Sequence, residues 1–214
     1  VAAKVTGQTV YQYLTTLKEI KPSRKTPFLF MNLLEGGKHA KNGLAFQEYH
    51  VVPQTSSVDE AVKIGLQMQN SLKEIIIHDL GEDSVILGDE GGLAPKINKI
   101  KQPLVYLTEI INKNNLQDKV RLSLDVAASS FFRDNAYEVD GEKISKEKLL
   151  SIYDSLIQEF NLLSIEDPFA EEDFESFKQI KDQHASLLIV GDDLTVSNSI
   201  LLKKAIEMKS INAI

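Results

Sequence analysis

The sequence predicts an α/β fold whose larger part is assembled from parallel βα units. Two observations carry that reading. From Val120 onward, short apolar runs alternate with stretches of helical periodicity. Three of those runs close on a carboxylate, at Asp125, Glu166 and Asp192, with room for a crossover helix between successive ones.

Val10, Leu14, Leu17 and Ile20 share one face, which predicts a helix over 10–20. Residues 21–27, KPSRKTP, read as a polar linker punctuated by proline. The run FLFMNLL, 28–34, reads as a buried strand that Glu35-Gly36-Gly37 breaks. A second strand covers 46–52 and stops at Pro53. A long helix is predicted from Val58 to about Ile77, with Ser57 or Asp59 as cap and Glu60 in its first turn. Gly88-Asp-Glu-Gly-Gly92 is a loop, and 103–114 returns to helical spacing. The strand over 120–126 is followed by a hairpin insert with Asp140-Gly141 as its turn. Ser145 caps a helix over 146–160, and a strand over 162–165 ends at Glu166. The next helix, 171–182, takes Glu171, Glu172 and Asp173 into its first turn, where the helix dipole favours acid. A strand over 187–190, a helix from a Ser197 cap to Lys209, and a strand opening at 211–214 complete the pattern.

Composition narrows the function classes. Hydrophobic residues make up 43% and charged residues 26% of 214, ordinary for a globular protein. A net charge of -7 argues against a nucleic-acid backbone as partner. With no cysteine there is neither a disulfide framework nor a thiolate metal site, which fits a reducing, cytoplasmic setting. No apolar run approaches the roughly 18 residues of a transmembrane segment, and the N-terminus has no signal pattern.

A single acidic residue after a strand is ordinarily a helix cap or a loop residue. Asp125, Glu166 and Asp192 recur at the same place in three consecutive units. In a parallel barrel the C-terminal strand ends converge on one mouth, where active sites sit. Converging carboxylates repel, and a divalent cation relieves that; ligation by oxygen alone favours a hard ion, Mg²⁺ first. In the Gly-rich loop, Glu90 is a candidate acid on a mobile segment, against the plainer reading of a solvated turn. If the first two strands pair as a hairpin, His39, Gln47 and Glu48 meet at one rim. His50, His78 and His184 read as surface or structural residues.

Taken in order, MNLLEGGKHA, QEYHVVPQ, GDEGGLAP, LDVAASSFF, SIEDPFAEEDF and GDDLTVSN resemble the enolase family, over residues 28 to 198. The resemblance implies a partial TIM-type barrel over 28–214, with the first two strands antiparallel, then βα units, cut within the sixth strand. Residues 1–27 would be a helix and linker from the N-terminal side. The implied reaction is the Mg²⁺-dependent, reversible dehydration of 2-phosphoglycerate to phosphoenolpyruvate, begun by abstraction of the proton α to a carboxylate, with the metal stabilising the enolate. By motif, Asp125, Glu166 and Asp192 resemble the metal ligands, with Asp167 and Asp193 supporting them. Glu90 resembles the acid that assists loss of the hydroxide, and Glu48 its partner carboxylate, so that one of the pair is expected to have a raised pKa. His39 and Gln47, with Glu48, resemble substrate contacts. A homodimer and a cytoplasmic location are implied for the complete protein.

The family's base is a lysine at the end of the next barrel strand; Lys203, Lys204 and Lys209 belong to the preceding helix and do not match it. The chain therefore reads as a fragment, inactive alone, with an inactive enolase-derived binding or scaffold protein as the alternative. Local departures from the family are Glu35 and Lys38 around Gly36-Gly37, and Ser130 where an acidic residue is usual.

Overall fold

A computed structural model describes residues 1–18, 21, 23 and 25–214. Two N-terminal helices, α1 (Ala2–Val5) and α2 (Val10–Lys18), precede the main body. The helix expected over 10–20 is thus seen to Lys18, and Ile20 lies outside the described residues. So do Pro22 and Arg24 of the expected linker.

The main sheet has five strands: β1 (Met31–Glu35), β2 (Glu48–Pro53), β3 (Val120–Asp125), β7 (Ser164–Glu166) and β8 (Leu188–Val190), in the order β1-β2-β3-β7-β8. β2 is antiparallel to both β1 and β3; β3, β7 and β8 run parallel. This is the mixed α/β sheet expected, with the hairpin of the first two strands. Residues 211–214 run beside β8, with a parallel bridge between Val190 and Ala213 and Asn212 Oδ1 accepting from Ile189 N at 2.7 Å.

The strands are two-faced. Tyr49, Leu124, Ile165 and Ile189 occupy one rung and are fully buried. Their face packs on the helices: α3 (Val58–Leu80) and α4 (Gln102–Lys113) cover β1 to β3, and α6 (Phe174–Gln183) covers β8. Tyr49 anchors that contact by donating its hydroxyl to Ile100 O at 2.9 Å. The neighbouring rungs point the other way and are polar, because side chains alternate along a strand. His50, Ser123 and Ser164 form one such row, with Ser123 Oγ and Ser164 Oγ 2.5 Å apart. The insert forms a second sheet from β4 (Phe132–Arg133), β5 (Ala136–Val139) and β6 (Glu142–Ile144), turning at Asp140-Gly141 as expected. α5 (Lys146–Phe160), capped by Ser145, and α7 (Ser199–Met208) complete the α-helices among the described residues.

Several boundaries differ from the expectation. Phe28 and Phe30 are half-exposed, so the first strand starts at Met31. It ends one residue later than expected: Glu35 pairs with Glu48 and is buried rather than breaking the strand. α6 begins at Phe174 with Asp173 as its cap, leaving Glu171 and Glu172 in the preceding turn rather than in the helix. Asn198, not Ser197, caps α7, its Oδ1 accepting from Ile200 N at 2.8 Å.

Candidate active site

One rung of the sheet collects the acidic residues. Glu35, Glu48, Asp125 and Glu166 are successive partners across β1, β2, β3 and β7, with Val190 next on β8. The reversal of β2 makes this possible: its first residue stands level with the last residues of its neighbours. The row shares the polar face with His50, Ser123 and Ser164, opposite the helices.

Asp125 is buried and held on both oxygens. Gln47 Nε2 donates to Oδ2 at 3.0 Å, and Ala127 N donates to Oδ1 at 3.0 Å. Burial, then the Glu48 charge, raises its pKa from 3.8 to about 6. Glu166 is raised to about 8 by burial and by the carboxylates of Asp125, Asp167 and Asp192. Asp167 takes a left-handed backbone (φ 43), which turns its carboxylate inward. There it accepts from Asp193 N at 2.8 Å and Leu194 N at 3.3 Å. Burial and the Asp193 charge raise it to about 7.

Oxygens of Asp125, Glu166 and Asp167 lie within 4.8 Å of one another. Asp192 stands two residues beyond the last residue of β8 and is exposed. It influences Glu166 electrostatically but lies outside that tight cluster. Asp193 is tied into the turn through its own N–H rather than through its side chain. All the donors here are oxygen, and three carboxylates crowd a buried space with no lysine or arginine in ion-pair contact among the described residues. That donor set suits a hard divalent cation.

The second cluster is the hairpin rim. Gly36 N donates to Gln47 O at 2.8 Å and His39 N to Gly36 O at 3.1 Å, which draws the 36–47 connection back over Glu48. His39 Nε2 lies 3.6 Å from Glu48 Oε1, and His50 Nε2 lies 2.7 Å from Glu48 Oε2. One oxygen of Glu90, one of Glu48 and a His39 nitrogen fall within 4.8 Å of each other. Asn32 Nδ2 reaches Glu90 Oε2 at 3.4 Å. Burial would raise Glu48, but the hydrogen bond and charge of His50, with the Glu90 hydrogen bond and the His39 charge, together outweigh it, and its pKa is lowered. The raised pKa expected within the Glu48–Glu90 pair is not found at Glu48.

Two residues of this cluster escaped sequence reasoning. His50, read as structural, is the nearest partner of Glu48; the signal was present, since residues i and i+2 of a strand share a face. Glu35, noted only as a departure, is a fully buried carboxylate beside the Gly-rich loop. His78 and His184 keep the plain reading, paired with Asp79 and Asp154 away from the row. A cavity of about 500 Å³, lined by Phe132, Tyr137 and Lys146 among others, lies beside the β4–β6 insert and holds none of these groups. Among the described residues no helix is long and apolar enough to cross a membrane.

Comparison with known proteins bears on this geometry. The family described as "Enolase, C-terminal TIM barrel domain" matches residues 23–214. The enolase of Methanocaldococcus jannaschii is 44% identical over 189 residues, covering 88% of this chain and 44% of that protein. An enolase of Methanococcus maripaludis is 41% identical over 191 residues, covering 88% of this chain and 45% of that protein. That of Methanococcus vannielii is 38% identical over 216 residues, covering 100% and 50%. The chain thus spans about half the length of the curated relatives it matches. A match over nine-tenths of its residues, on a sheet whose reversed second strand brings the carboxylates into one row, identifies the chain as a member of the enolase family.

Proposed function

We propose that this chain carries the metal-binding and acid side of an enolase active site, for the Mg²⁺-dependent, reversible dehydration of 2-phosphoglycerate to phosphoenolpyruvate. The observation that carries the reading is the pairing of Asp125, buried, with Glu166, partly buried, on adjacent parallel strands, both raised in pKa. Asp125, Glu166 and Asp192 would hold the ion, with Asp167 and Asp193 bracing the turn that presents Asp192. A bound Mg²⁺ offsets the crowded negative charge and polarises the substrate carboxylate.

The chain's own residues divide the remaining work. Gln47, tied to Asp125, and His39 contact the substrate beside the row. Glu90 donates a proton to the departing hydroxyl. Glu48, kept ionised by His50, accepts hydrogen bonds from that hydroxyl and orients it. No lysine of these residues is assigned as the base that takes the α-proton, so the 214 residues alone are expected to dehydrate 2-phosphoglycerate feebly. A homodimeric complete protein and a cytoplasmic location go with this reading.

Calorimetric titration with Mg²⁺ tests it. The chain is expected to bind the ion, with Asp125→Asn, Glu166→Gln and Asp192→Ala each weakening binding at least about tenfold. Binding unchanged in Asp125→Asn and Glu166→Gln would overturn the ligand assignment. Robust dehydration by the purified chain, with host enzyme excluded, would overturn the division of labour.

A further inference from the structure

β1 ends on a carboxylate that no water reaches. Glu35 is 0% exposed, and among the described residues no lysine, arginine or histidine lies within ion-pair distance of it. A buried carboxylate is costly unless its oxygens find donors. Here the donors are backbone amides of one loop: Gly92 N donates to Oε1 at 2.6 Å and Glu90 N donates to Oε2 at 3.4 Å.

The loop is shaped around this side chain. A Cβ on Gly88 would overlap Glu35 Oε2. A Cβ on Gly92 would lie 2.7 Å from Oε1 and 2.8 Å from Cγ, closer than real Cβ atoms come. The glycines at 88 and 92 thus permit close approach of backbone to carboxylate. Main-chain bonds add to the attachment: Glu35 N donates to Leu93 O and Leu93 N to Leu33 O, both at 2.9 Å, and Asp89 N to His39 O at 3.1 Å. The segment is therefore strapped to the end of β1 and to the His39 connection. Every side-chain bond of Glu35 goes to the loop that carries Glu90.

We propose that Glu35 is a positioning residue: its carboxylate clasps the Gly88–Gly92 backbone and so fixes where Glu90 presents its side chain beside Glu48 and His39. This rests on the reading of Glu90 as part of the active site. Both side-chain oxygens accept from the loop backbone, so the clasp depends on the acceptors as well as the shape.

The test uses the full chain with Glu35→Ala and the near-isosteric Glu35→Gln, which retains one oxygen acceptor and the packing should Glu35→Ala fail to fold. Amide hydrogen exchange reports the clasp. The Glu90 and Gly92 amides are expected to exchange about 10- to 100-fold faster in Glu35→Ala and by a smaller factor in Glu35→Gln, with β3 amides unchanged. The ring resonances of His39 report the positioning. In the parent they shift when Glu90→Gln is introduced; in Glu35→Ala that response is expected to shrink, and in Glu35→Gln to be partly restored. Loop and β3 amides accelerating together would make Glu35 a general core residue and overturn the proposal. A loosened loop with an undiminished His39 response would also overturn it. If the parent itself shows no His39 response to Glu90→Gln, the placement of Glu90 in the site fails and the positioning role fails with it, while the exchange data still stand on their own.

Discussion

Replacing Asp125 with asparagine is expected to stabilise the metal-free protein at pH 8 and not at pH 4. In the folded protein burial, then the Glu48 charge, lifts Asp125 from 3.8 to about 6. The folded state therefore binds this proton more tightly than the unfolded chain does. Its contribution to stability is complete below about pH 3.8 and is lost as pH rises through about 6. At about 1.4 kcal/mol per pH unit, the wild type forfeits about 3 kcal/mol between those limits. Asparagine carries no charge and escapes this loss. It keeps an acceptor for Ala127 N but turns an NH₂ toward Gln47 Nε2, which costs about 1 kcal/mol. The net gain at pH 8 is about 2 kcal/mol, or about 4–8 °C in melting temperature for a chain of this size. Relief of Glu166, whose elevated pKa Asp125 helps to sustain, adds in the same direction. Thermal unfolding followed by circular dichroism at the two pH values measures it. Mg²⁺ at a hundred times its dissociation constant should then stabilise the wild type by about 2.7 kcal/mol and the variant, binding at least about tenfold more weakly, by no more than about 1.4 kcal/mol. Equal destabilisation of the variant at pH 4 and pH 8 would refute the claim that an uncompensated buried charge sits at the end of β3.

Three further outcomes follow from single contacts. His50→Phe should raise the pKa of Glu48, because burial is then opposed only by the Glu90 hydrogen bond and the His39 charge; a carbon-13 titration of the Glu48 carboxyl reads the midpoint, and an unchanged value would dismiss His50 as its main opponent. Tyr153→Phe removes the buried hydroxyl that donates to Pro168 O at 2.6 Å and should cost about 1–2 kcal/mol in urea unfolding. Ser57→Ala leaves Glu60 N without its cap at the start of α3 and should cost about 1 kcal/mol, with near-zero loss counting against the cap.

Asp125 and Glu166 were readable in the linear sequence because a buried strand ending in a carboxylate is a local signal, repeated once per unit. Asp192 carried the same local signal but differs in space. β8 stops at Val190, so Asp192 lies past the sheet, while the left-handed turn at Asp167 swings that neighbour of Glu166 inward. No propensity encodes the inward placement of Asp167; it depends on where the amides of Asp193 and Leu194 stand. His50 was legible by strand periodicity alone, whereas the role of Glu35 was not. Its donors are 55 and 57 residues away, and only the close approach of two chain segments reveals them. Phe28 and Phe30 misled in the other direction: an apolar run extends past the end of a strand without being covered.

The reversed strand β2 also has a kinetic consequence. Contacts between β1 and β2 close over the short connection 36–47, whereas β3 meets β7 only after the chain has looped through 126–163. Local closures form on microsecond scales, and distant parallel pairings are intrinsically slower. The rim carrying His39, Gln47 and Glu48 can thus assemble early, as a preformed hairpin. Asp125 and Glu166 come side by side only when the later crossover docks, a longer closure than that of the hairpin.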